Sequence, residues 1–170
     1  MSLNSEINAA IKKEEAQLTH QEDLLDKYDF ETTISYQYLL LDAEHPFSFY
    51  NSDFNQVHSE EFPGKSDAMI YLSKVKILCK KSLYETMTDE DFLRREHIHK
   101  VSVNPTLKKL RERIFKRRDT SNTQKDIWQF ALYTNKNDNR APRILFFVGN
   151  YGILYILAYD PKHEITLMPR

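Results

Sequence analysis

IWQFALYT (127–134), RILFFVGN (143–150) and GILYILAYD (152–160) stand in immediate succession and form the most apolar part of the chain. Each run is rich in β-branched and aromatic residues. NKNDNRAP separates the first from the second, and Asn150-Tyr151, set between Gly149 and Gly152, separates the second from the third. Three such runs joined by turn residues predict an antiparallel meander closed by a tight final hairpin. Trp128, Phe130 and Leu132 fall on one side of the first strand and are assigned to the core. The expected fold class is therefore α+β, with an antiparallel meander over about 127–160 as the wall against which helices pack.

Working outward, HIHKVSV (97–103) alternates polar and apolar residues and reads as a further strand, with Ile98, Val101 and Val103 as inward positions. Asn104-Pro105 then sets the cap and first position of a helix whose core residues are Leu107, Leu110 and Ile114, with Phe115 flanking. Ser66 caps an earlier helix with Ala68, Tyr71, Leu72, Val75, Leu78, Cys79 and Leu83 along one face. Thr88-Asp89-Glu90-Asp91 resembles a capping box with Asp in place of Glu and starts a short helix ending near Arg95. TTISYQYLLL (32–41) favours an extended segment. Residues 43–65 form a long loop whose aromatics, Phe47, Phe49, Tyr50, Phe54 and Phe62, predict that it packs down onto the body. Ile7, Ile11, Leu18, Leu25 and Tyr28 mark 4–28 as an amphipathic helix. It docks on the same chain or is offered to a second copy or a protein partner. The expected organisation is one domain over 1–170, with 1–30 as a helical extension.

Composition bounds the function. With 41% apolar and 12% aromatic residues the chain has material for a sizeable core. Its three glycines exclude glycine-cradled phosphate loops, and the single Cys79 excludes an intrachain disulfide and a cysteine-only zinc site. No cofactor is implied. No run of 18 apolar residues and no signal-type leader occurs, so a cytoplasmic protein with no membrane partner is expected. The charge is divided: residues 1–63 carry 13 acidic and 3 basic side chains, and residues 64–170 carry 12 and 21. Either the halves neutralise one another in the fold, or the basic half faces a polyanion.

Three features could carry chemistry. His97-x-His99 would place two imidazoles on one side of a strand, but no spacing supplies a third ligand and no metal site is assigned. Lys108, Lys109, Arg113, Lys116, Arg117 and Arg118, on and just after the helix from Pro105, belong to the densest basic block, with Glu112 the one acid between His97 and Arg118. Such a surface suits phosphate contacts, and RNA is the partner it implies. The last strand exits through Asp160-Pro161-Lys162-His163-Glu164, where His163 is a candidate general acid or base at neutral pH.

From Pro105 onward, PTLKKLRERIF, IWQFALYT, PRILFFVGN and GILYILAYDPKHEI resemble the RelE-type ribonuclease toxins in the order helix, strand, strand, strand and polar tail. The resemblance covers about 65 of 170 residues. It implies an RNA-directed endoribonuclease in which Arg143, opening the middle strand, and His163, after the last, are site residues, with Tyr155 near them. The chain departs from the family at Gln129, where such toxins often carry a basic residue, and lacks the usual Gly-x-Tyr-Arg turn. The alternatives left open are a non-catalytic nucleic-acid- or protein-binding module and an oligomerising protein.

Overall fold

A computed structural model describes residues 30–115, 125–134, 140–149 and 152–165. The expected helix over 4–28 lies outside them. Strands β1 (Thr33–Ser35), β2 (His99–Lys100), β3 (Ile127–Ala131), β4 (Arg143–Val148) and β5 (Ile153–Asp160) form one sheet in the order β1-β5-β4-β3-β2. The meander β3-β4-β5 is antiparallel as the sequence predicts, and β2 extends it antiparallel to β3. The sheet is nevertheless mixed, because β1 runs parallel to β5, pairing Thr33 with Ile153 and Ser35 with Tyr155. A parallel pair needs a long crossover, and everything between β1 and β5 supplies it.

Face one of the sheet carries Phe130, Ile144, Phe146, Leu154, Ile156 and Tyr159, with Trp128 at its margin. It packs against α1 (Asp67–Leu78), α2 (Leu83–Thr88) and α3 (Glu90–Arg95) through Ile70, Tyr71, Leu78, Leu83 and Phe92. Face two carries Ile127, Leu145, Phe147, Leu157 and Ala158 and is covered by α4 (Pro105–Phe115) through Leu107, Leu110 and Phe115, with Tyr38 and Phe47. Both faces are thus apolar and covered, which is why the strands read as near-continuous hydrophobic runs.

The register shifts between Leu145 and Phe146, which face Ala158 and Ile156. Leu157 is the extra residue, and its insertion reverses the alternation beyond it. Leu157 and Ala158 therefore both lie on face two, Tyr159 turns to face one, and Asp160 comes to face two opposite Arg143.

Local signals mostly act where the sequence places them. Ser66 accepts from Met69 N, and Asn104 accepts from Leu107 N at 2.9 Å. The reciprocal capping box sits at Ser82 and Glu85, while Asp89, not Thr88, caps α3. The loop at 43–65 packs down through Phe47, Phe49, Phe54 and Phe62, but Tyr50 stays exposed. Ile98 and Val101 are buried on opposite faces and Val103 is 62% exposed, because the regular strand ends at Lys100. The Asn104 side chain also donates to the carbonyl of Ile165, tying α4 to the C-terminal turn. Replacing Asn104 by alanine removes both bonds and is expected to cost about 1–2 kcal/mol, read from the urea midpoint at unchanged slope.

Candidate functional site

The register brings a polar set onto face two: His99 opposite Gln129, and Arg143 opposite Asp160. The chain leaves β5 and folds back, held by the Asp160 carboxylate, which accepts from Glu164 N at 3.0 Å and Ile165 N at 2.8 Å. That turn carries His163 over the sheet. Gln129 Nε2 lies 2.8 Å from His99 Nε2 and 3.3 Å from His163 Nε2. One fully buried amide therefore joins two histidines from opposite ends of the sequence.

The tautomers follow from the partners. His99 Nδ1 is 3.2 Å from the carbonyl of Lys100, which can only accept, so Nδ1 carries the proton and Nε2 offers its lone pair. Gln129 Nε2 has two hydrogens and donates one to each ring. Its Oε1 is buried and has no partner among the described residues, and neither has Nε of Arg143. The remaining Arg143 nitrogens donate to the carbonyls of Tyr133 (3.0 Å) and Pro142 (3.1 Å) and to Thr134 Oγ1.

Electrostatics hold His163 neutral at pH 7. Burial, followed by Arg143, His99 and His97, pulls His163 down to about 4. Burial, Arg143, Lys74 and His99 also lower His97, against the opposing pull of Glu96. The unfolded chain holds the His163 proton more tightly than the folded one. Stability is therefore present above the ordinary value of 6.5 and is progressively lost as pH falls toward about 4. His97 (φ 51°) and His163 (φ 60°) are the two described non-glycine residues with positive φ. The left-handed region costs roughly 1–2 kcal/mol at such residues, and strain of this kind gathers at functional sites.

A second polar cluster lies on the other face. The Asp67 carboxylate accepts from Tyr133 Oη (2.7 Å), Tyr159 Oη (2.6 Å) and Arg140 Nη2 (3.0 Å), and Arg140 also reaches Asp53 at 3.1 Å. Each charged group in it is partnered, so the cluster is a structural pin between α1, the end of β3 and β5.

Of the residues singled out from sequence, His163 and Arg143 come together. Tyr155 does not join them. It stacks on Phe147 at 4.8 Å and meets Tyr38 edge-on, five residues before Asp160 and so roughly 16 Å away along the strand. His97 and His99 are not two positions of one regular strand, since His97 lies in the turn before β2. Lys108 and Lys109 are exposed on α4. Arg113 pairs with Asp42 and Arg111 donates to the carbonyl of Lys125. Lys116, Arg117 and Arg118 lie outside the described residues. Sequence reading missed Gln129, for which a signal existed: a polar side chain at an inward position of IWQFA, between Ile127 and Ala131. Among the described residues no three His, Cys, Asp or Glu side chains are arranged to hold a metal ion, and no helix is long and apolar enough to cross a membrane. Compared with family models, curated proteins and solved structures, the chain matches none.

Proposed function

We propose that this protein is an RNA-directed endoribonuclease of RelE-like build, working at the His163–Gln129–His99 cluster beside Arg143. The observation that carries the reading is the meeting of His163, neutral through burial and held in left-handed backbone, with His99 and the buried Arg143 on one sheet face. The order α4, β3, β4, β5 and histidine-bearing turn agrees with it, as do the exposed Lys108 and Lys109, which suit phosphate contacts away from the reacting bond. Arg143 supplies a fixed positive charge where a phosphodiester would gain negative charge, and His163 is the proton acceptor.

Purified protein is expected to cleave single-stranded RNA in excess EDTA, and His163→Ala to lose about 100- to 10,000-fold in kcat/KM, the usual range for a general base. His163 accepts a proton in its neutral form, so on the acid side activity falls as pH drops through about 4, far below the 6.5 of an ordinary histidine. A wild-type protein that leaves free and ribosome-bound RNA intact sinks the enzyme reading. Salt-dependent RNA binding without turnover, weakened by Lys108→Gln and Lys109→Gln, would instead support a binding module.

A further inference from the structure

We infer that the outer face of α1 is a docking surface and that its occupant is the chain's own N-terminal segment, residues 4–28. The inference concerns the opposite side of the sheet from the candidate site and stands whether or not the proposed function holds.

α1 is apolar on two sides. Ile70, Tyr71 and Leu78 bury one side against the sheet. On the other, Met69 and Leu72 are 52% and 62% exposed, with Ile77 exposed at the margin. A helix at the rim of a domain ordinarily turns polar residues outward, and apolar neighbours three apart on the outer side mark a surface made to be covered. Lysines frame them. In chain order the exposed strip reads Lys65, Met69, Leu72, Ser73, Lys76, Ile77 and Lys80.

Three observations choose the occupant. The first is place. The Phe30 carbonyl accepts from Leu83 N at 2.9 Å, Thr32 N donates to the Lys81 carbonyl at 3.2 Å, and Glu31 bridges Ser82. Residues 1–29 are therefore joined to the fold at the turn just after α1. So short a tether gives the segment an effective concentration of about millimolar over the neighbouring surface, which favours it over a second copy. The second is charge. Residues 1–29 carry seven acidic and three basic side chains, while 65–81 carry five lysines against one acid, the fully buried Asp67. Lys74 and Lys81 already pair with Glu96 and Asp89, so the outer lysines are Lys65, Lys76 and Lys80. The third is the order of residue character. Read as a helix and laid back along α1 from Phe30, the segment keeps step with it, since both rise about 1.5 Å per residue, and each residue falls level with one about fifty positions later. Leu18 then meets Met69 and Leu72, and Leu25 meets Ile77. Glu14 and Gln21, which interrupt the segment's apolar stripe, fall beside Lys65 and Ser73, and Glu22 and Asp26 fall near Lys76 and Lys80. The polar residues that would spoil a purely apolar seam are thus met by a hydroxyl and by opposite charge.

Hydrogen exchange of the full chain, with light scattering of the same samples, tests the docking. In the wild type the amides of 4–28 are expected to exchange about tenfold or more slower than those of an unstructured chain, because a lone helix of this kind is marginal in water and gains its protection from packing. Met69→Asp with Leu72→Asp, both at exposed positions, should return the segment to the unstructured rate while β4 keeps its protection and so reports an intact fold. Lys65→Glu should speed exchange in 4–28 by about two- to fivefold, the range of an exposed ion pair, and adding Glu14→Lys should restore it. A swap that restores nothing overturns the alignment. Unstructured rates in the wild type overturn the docking, and protection that survives Met69→Asp with Leu72→Asp overturns the assigned face. A mass of two chains that falls to one in that variant makes a second copy the occupant and overturns the assignment to the chain's own segment.

Discussion

Asp67→Ala is expected to lower the unfolding free energy by about 3–5 kcal/mol, enough to unfold much of a typical domain. The Asp67 carboxylate is fully buried and accepts three hydrogen bonds. Removing it leaves Arg140, 8% exposed, with the partly exposed Asp53 as its one counter-charge among the described residues, and strips two buried tyrosine hydroxyls of their acceptor. The charge left behind, rather than the lost attraction, dominates the penalty. This explanation makes a second claim: Asp67→Ala combined with Arg140→Met should cost less than the sum of the two single changes, because the second removes the charge that the first orphans. Urea unfolding of the four proteins measures the coupling. Strict additivity would show that the cluster is not energetically one unit.

Asp160→Ala should cost about 2–4 kcal/mol, since the carboxylate is fully buried and charge-assisted bonds to backbone N–H groups are the stronger kind. Burial raises its pKa, while the amides of Ile165, Glu164 and Lys162 act in the opposite direction. Unlike Asp67, this residue also sets the site, because the turn it holds carries His163. Hydrogen exchange should therefore accelerate at the amides of Glu164 and Ile165 well beyond the change at β4, and the RNA cleavage we propose should fall with it. Protection that stays uniform across both regions would mean that the turn is held by something else, such as the bond from Asn104 to Ile165.

Much of the scaffold was legible because its signals are local. The meander, the caps at Ser66 and Asn104 and the core side of β3 depend on neighbours a few residues apart, and propensity and periodicity report those directly. The parallel pairing of β1 was not legible, since it joins residues more than a hundred positions apart through a three-residue strand. The candidate site was half legible. His163 and Arg143 stood out by position, Tyr155 was drawn in by its place on the same strand, and Gln129 was passed over although its polarity inside an apolar run marked it.

The sequence by itself determined the three strands of the meander and the helix starts at Ser66 and Asn104, because these follow from residue character at fixed short spacings. Tertiary structure alone decided what meets what. One inserted residue at Leu157 turns Asp160 rather than Tyr159 toward Arg143, and Asp160 in turn folds His163 back onto Gln129 and His99. A bulge leaves no mark in composition or hydropathy, yet with a side-chain period of two it moves every later residue of the strand to the opposite face.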